Sequence, residues 1–319
     1  MDYLYALQNF RQTAPDFVTY IFLFISEFLL YTGPVFAAVI YWSINKKEGA
    51  SVLLGYAGAS FVNQTVKNIA CVYRPWIRDS RLSVEKYAAK SATGYSFPSG
   101  HTTTATSIFG QIAIYQKAKK WLCALCVFII LAVAFSRNFL GAHTLQDVLV
   151  AIIETVIVLV IINYIKSIIE KNTSKDTLVA LLSLLISTAI ILFLQFKKYP
   201  LDYDSDGKIL VDPYKMLTDC YVSYGMFTGA VCGWWLERHF VKFSTDGSLK
   251  EKIIRSLVGV IIFVAMYLGL SPLLKFMGSH MSHLVKYFLI TFVSMYVYPL
   301  IFTKIKIHKT VLKNKKSVN

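Results

Sequence analysis

Charge is what this chain has least of. Only 16% of its 319 residues are Asp, Glu, Lys or Arg, against 55% that are hydrophobic. A soluble protein of that length needs far more polar surface, so repeated apolar stretches of about 20 residues are expected instead. Acidic residues are the scarcer kind: 18 Asp and Glu stand against 33 Lys and Arg, for a formal charge of +15. Cysteines are few and odd in number, namely Cys71, Cys123, Cys126, Cys220 and Cys232. Cys123 and Cys126 form a CxxC inside an apolar run, with no second pair or nearby histidine, so they read as helix filler rather than a metal or redox site. Ahead of the first apolar run there is a short amphipathic segment but no basic leader and no small-residue cleavage site. That run reads as an anchored helix, not a removed signal peptide.

What is present is an all-α pattern. Apolar spans fall near residues 18–44, 51–72, 101–116, 121–140, 145–165, 177–196, 217–236, 253–274 and 284–303. This predicts a polytopic membrane helix bundle of about nine transmembrane helices. More than half of the basic residues lie in one set of loops and in the tail, including Lys46, Lys47, Lys117, Lys166, Lys242 and the lysines from Lys304 to Lys316. By the positive-inside rule that face is cytoplasmic, which puts the N-terminus outside, the tail inside and the chain in a bacterial cytoplasmic membrane. A basic rim facing anionic headgroups accounts for the net charge without nucleic acid.

The charged loops divide the chain. Residues 1–170 hold five spans and nearly all the unusual polar groups; residues 171–319 hold four plainer spans and the basic cytoplasmic tail. In the second part Gly225, Gly229 and Gly233 recur every four residues. Such a stripe lets two membrane helices approach closely, by packing within the chain or in a homodimer. "DYDSDGKILVDP" imitates the start of a calcium loop, but Pro213 stands where the closing Glu belongs, so it reads as a solvated acidic turn. His280 and His283 read as interfacial polar residues. Asn172 opens a formal glycosylation sequon, on the cytoplasmic side in this topology.

Three stretches place costly groups at the ends of apolar helices. In "VKNIACVYRPW", Lys67 and Arg74 are seven residues apart, two helical turns and roughly 10 Å, so they share a face if Pro75 ends the helix. In "SFPSGHTTTA", Ser99 and Gly100 occupy a helix entry, where free backbone N–H groups and the helix dipole make a seat for an anion. His101 stands at its edge. In "SRNFLGAHTLQD", Arg137 closes one span and His143 opens the next, with Asp147 four residues on and on the same face. A carboxylate there can hold one ring N–H and leave the other nitrogen free to attack. The topology brings all three stretches to the outer face. Cations, backbone donors, two histidines and one aspartate suit phosphoryl transfer, and nothing in the set demands a metal or other cofactor. The threonines at 102, 103, 104 and 106 are expected to bond back to the preceding turn. Residues 78–95, with Arg78, Arg81, Lys86 and Lys90, read equally as a substrate lid or a solvated basic loop.

These blocks, Lys67 to Pro75, Pro98 to His101 and Ser136 to Asp147, resemble the tripartite signature of the type 2 phosphatidic acid phosphatase (PAP2) superfamily. Every signature position is filled. The resemblance implies a PAP2-type core in which His143 attacks phosphorus, Asp147 orients it and His101 protonates the leaving oxygen and later helps activate water. It implies that Lys67, Arg74, Ser99, Gly100 and Arg137 hold the phosphate oxygens. One span fewer before the first block and four more after the last look more like the sphingosine-phosphate phosphatases and glucose-6-phosphatases than the six-helix bacterial members. The expected activity is metal-independent hydrolysis of a lipid phosphate monoester or diphosphate through a phosphohistidine at the outer face. The alternatives are a glucose-6-phosphatase-like hydrolase of a soluble ester, a lipid phosphotransferase using the same intermediate, and a catalytically silent lipid-binding or transport protein.

Overall fold

Each apolar run folds as a helix in the computed structural model, which describes residues 1–171 and 174–305. An amphipathic helix α1 (Asp2–Thr13) precedes α2 (Asp16–Ile44), which carries Pro34 and ends in a π-turn. Then follow α3 (Lys46–Ala70), two short helices α4 (Pro75–Arg78) and α5 (Lys86–Ser91), α6 (Gly100–Tyr115), α7 (Lys120–Phe139) and α8 (Leu145–Lys171). The second part contributes α9 (Lys175–Phe196), α10 (Pro213–Leu236), α11 (Leu249–Leu273) and α12 (Ser279–Ile305). Among the described residues, nine of these helices correspond to the nine expected spans. The Asn172 sequon and the tail beyond Ile305 lie outside the described residues.

Six of the nine, α2, α7, α8, α9, α11 and α12, are long and apolar enough to cross a membrane. The other three are α3, α6 and α10, and the difference has a physical reason. These helices lie inside the bundle: α3 buries Glu48, Asn63, Lys67 and Asn68, and α6 buries His101 and four threonines. Polar groups at membrane depth are tolerated where they face protein. The outer helices instead turn Phe128, Ile157, Leu185 and Ile261 outward.

Local chemistry fixes where helices begin. Asn45 caps α3 by accepting from the Glu48 N–H at 3.1 Å. Ser248 and Glu251 form a reciprocal capping box at α11. The end of α3 differs from expectation. Cys71 takes a left-handed conformation (φ 50°) and stops the helix at Ala70, while Pro75 opens α4 at its first position. Arg74 therefore sits in the link between the helices, not two turns up the face of Lys67.

The glycine stripe packs within the chain. Added Cβ atoms would run into α12: against the Leu284 carbonyl oxygen from Gly225, the Phe288 carbonyl oxygen from Gly229 and, at 2.9 Å, the Met295 Cβ from Gly233. The expected homodimer surface at Gly225, Gly229 and Gly233 is thus already covered by the chain's own α12. The acidic turn is likewise self-contained, with Asp204 accepting from the Asp206 and Lys208 N–H groups and Asp202 from the Tyr73 hydroxyl.

Charged groups gather at both ends of the bundle. Lys46, Lys47, Lys166, Arg238 and Lys242 line one cavity where α3 begins and α8 finishes. At the opposite end the three signature stretches meet. There α1 braces them: Arg11 donates to the carbonyls of Phe139 at 2.7 Å and Ser83 at 2.8 Å, and the Leu145 N–H donates to the Tyr3 hydroxyl.

Candidate active site

The entry of α6 is built as the sequence pattern suggests. Ser99 caps the helix, its Oγ accepting from the Thr102 N–H at 3.4 Å and the Thr102 hydroxyl at 3.0 Å. The Ser99 N–H donates to the Asp147 carbonyl oxygen at 3.0 Å, which ties the second signature stretch to the third. Lys67 reaches the same loop from below, donating to the carbonyls of Pro98 at 2.6 Å, Tyr95 at 3.1 Å and Ser96 at 3.4 Å. An ammonium has three N–H groups. All three are engaged in the free protein, so Lys67 shapes the seat and lends it charge.

Arg74 is held as firmly. Its guanidinium donates to the carbonyls of Gly94 at 3.0 Å, Ala142 at 3.0 Å and Thr93 at 2.8 Å. Its Nη1 also lies 2.9 Å from Nε2 of His143. Arginine can only donate, so that ring nitrogen must be the acceptor and the proton of neutral His143 rests on Nδ1. Nδ1 faces Asp147 Oδ2 at 3.5 Å. The same carboxylate oxygen accepts from the Ser96 hydroxyl at 2.5 Å and the Thr144 N–H at 2.7 Å, which fixes its position. Burial, and then the Arg74 charge, hold the imidazole of His143 well below its ordinary range, while Asp147 opposes them. The lowered proton affinity favours the neutral ring, whose Nε2 lone pair is held by the Arg74 N–H.

His101, in the first turn of α6, has Nε2 3.3 Å from Oε1 of Glu27 on α2. That oxygen also lies 3.2 Å from Nη1 of Arg137 and accepts from the Ser91 hydroxyl at 2.7 Å. Arg137 is fully buried, and its Nη1 donates to the Ser26 hydroxyl at 2.7 Å. Among the described residues its Nε and Nη2 have no hydrogen-bond partner.

Five of the eight expected residues, Lys67, Arg74, Gly100, His101 and His143, line one cavity of about 250 Å³. Ser99, Arg137 and Asp147 stand behind its wall. Two of the three carbonyls that hold Arg74 belong to residues 93 and 94, so the end of the 78–95 segment builds the pocket, while Arg78, Arg81, Lys86 and Lys90 remain exposed. The threonines are not as expected: Thr102 bonds Ser99, and Thr103 accepts from Asn63 at 2.9 Å and donates to Glu154 at 3.4 Å.

Spacing arguments missed Glu27, Ser96, the Asn63–Glu154 pair and Asp219, a pocket-lining residue of α10. The signal for Glu27 was there to read. It is the one charged residue between Asp16 and Lys46, in the middle of an apolar span, and an ionisable group at membrane depth is a functional candidate by default.

An all-helical integral membrane protein with two histidines, three cations and a carboxylate at one end of the bundle is the class that fold and site define. Comparison with known proteins narrows it. Residues 48–171 match the PAP2 superfamily, and residues 221–310 match the PAP2 superfamily phosphatase, transmembrane extension. The chain belongs to the PAP2 superfamily. It is 24% identical over 116 residues to an undecaprenyl-diphosphatase of Sulfolobus acidocaldarius, a match covering 36% of this chain and 54% of the relative. The chain thus spans about half the length of that curated relative. No solved structure matches it significantly.

Proposed function

We propose that the chain is a membrane phosphatase that hydrolyses a lipid phosphate monoester or diphosphate through a phosphohistidine, without a metal. Residues 1–170 carry the chemistry, and α10, α11 and α12 of the second part complete the wall where the lipid lies. The site faces outward, with the N-terminus outside and the basic tail in the cytoplasm. One observation carries the lipid reading: the polar pocket shares Leu30, Tyr56 and Met226 with an apolar cavity of about 330 Å³. That cavity runs between α2, α3 and the later helices α10, α11 and α12, lined by Val35, Phe263, Tyr287 and Ile290. A phosphate can sit among the cations while its chain continues into the apolar space.

The chemistry follows from the groups in place. Arg74 releases His143 Nε2 as a phosphate oxygen takes over its N–H, and Nε2 attacks phosphorus. The P–N bond forms as the P–O bond to the lipid breaks, and the leaving oxygen takes a proton from His101. Water then attacks the phosphohistidine, its proton passing to His101, and phosphate leaves as the P–N bond breaks. Arg74, Lys67, Arg137 and the α6 entry stabilise the charge on the transferring group.

The likeness to an undecaprenyl-diphosphatase puts a polyprenyl diphosphate first in the test. Detergent-purified protein, with chelator, is offered polyprenyl diphosphate, phosphatidate, phosphatidylglycerophosphate, a sphingoid phosphate and glucose 6-phosphate. Phosphate release from a lipid and not from the sugar ester is expected. Release from glucose 6-phosphate alone, or from none, overturns the proposal.

A further inference from the structure

Glu27 lies outside both family-matched segments, yet it touches the site at its proton-transfer side. From α2 it sets one carboxylate oxygen between Nε2 of His101 at 3.3 Å and Nη1 of Arg137 at 3.2 Å, with the Ser91 hydroxyl on it at 2.7 Å. His101 is then the mirror of His143. Each histidine has a carboxylate on one ring nitrogen, Glu27 on Nε2 and Asp147 on Nδ1. For His101 this leaves Nδ1 free of any hydrogen bond among the described residues. His101 Nε2 and the carboxylate are at ion-pair distance but not aligned for a hydrogen bond. Such contacts are often loose in a free enzyme and tighten when substrate closes the site.

We propose that Glu27 is the positioning residue for the proton-donor histidine: its carboxylate fixes the His101 ring and stabilises the imidazolium, so that Nδ1 presents the proton to the leaving oxygen. This rests on the phosphatase reading above. As the P–O bond breaks and the P–N bond to His143 forms, the Nδ1 proton moves to the leaving oxygen and His101 becomes neutral. Its Nε2–H stays on Glu27. When water attacks the phosphohistidine, Nδ1 takes the water's proton and the pair is reset. By engaging Nη1 of Arg137, Glu27 also holds that guanidinium behind the pocket wall, where its charge backs the site. The charged and titratable groups facing His101 are Glu27 from α2, Arg137 from α7 and Arg74 from the link after α3, with Lys67, His143 and Asp219 across the same pocket.

The test uses full-length protein in detergent and reads the single-turnover rate of leaving-group release against pH. In Glu27→Gln that rate should fall by about 10²-fold, the scale of a general acid, with KM changed less than threefold. The alkaline limb should move to lower pH, because the imidazolium has lost its counter-charge. The defect should shrink at least tenfold for an aryl ester of the same phosphate, whose leaving group needs no proton, and Glu27→Asp should restore part of the rate. Should Glu27→Gln fail to fold, Glu27→Asp carries the test: it keeps the counter-charge but sets it farther from Nε2, so a smaller limb shift in the same direction and the same leaving-group dependence are expected. A variant with an unmoved limb and an equal defect on both esters would show a structural role and overturn the proposal. If the parent protein releases no phosphate, the phosphatase reading fails instead, and the two failures are distinguishable.

Discussion

The two parts of the chain bury charge in opposite ways. In residues 175–305 each buried charge is matched on the spot. Asp176 pairs with Arg238 at 2.9 Å and His239 at 3.2 Å, and Glu237 with Lys46 at 2.6 Å. Arg255 donates to the Trp42 carbonyl at 2.9 Å, and Lys286 to the Ser271 hydroxyl at 2.7 Å. In the first part the ledger stays open. Among the described residues, every buried side-chain nitrogen or oxygen without a hydrogen-bond partner lies between Gln64 and Thr155, including two nitrogens of Arg137 and one oxygen of Glu154. Each such group costs about 1–3 kcal/mol when left unmatched. Of these residues Gln64 and His101 line the cavity of the candidate site, whereas the buried charges of the second part tie helices together.

The sharpest break of that comparison is His143→Ala. Removing the proposed nucleophile should lower turnover by at least about 10³-fold with the fold intact, measured as phosphate release beside thermal unfolding in detergent. A variant that keeps a tenth of the parent rate would show that the phosphohistidine is not formed at this residue. The matching change in the second part is Arg255→Met, which strands the Trp42 carbonyl. It should cost about 1–3 kcal/mol of stability, seen as a lower unfolding midpoint, and leave turnover within about twofold. Lost turnover at unchanged stability would place Arg255 with the chemistry and end the contrast.

How much of this was legible in sequence depended on range. Helix positions follow from apolar runs, and His143 with Asp147 follows from a spacing of four residues, so both could be read locally. The position of Arg74 could not be read from the seven-residue spacing, because a single left-handed residue, Cys71, changes the direction of the chain before Arg74 is reached. Glu27 has partners 64, 74 and 110 residues away, at Ser91, His101 and Arg137. No periodicity links residues so far apart, and composition alone marked it as costly. The glycine stripe announced a close approach but not its partner, since a helix face reads the same whether α12 or a second copy covers it.

The smallest effect sharpens the contrast at one group. His143 sits between α7 and α8, and burial with Arg74 beside it lowers its affinity for a proton. In the proposed mechanism the attacking form is the neutral imidazole. A lowered pKa keeps that form populated to lower pH, so the acid limb of kcat/KM, which reports the free enzyme, should lie below the ordinary histidine value of about 6.5. Asp147 opposes the lowering, so Asp147→Asn should move the limb further down as well as slow the reaction. A limb at or above the ordinary value in the parent protein would mean that His143 is charged in the free enzyme, with its lone pair unavailable and the Arg74 contact impossible as drawn.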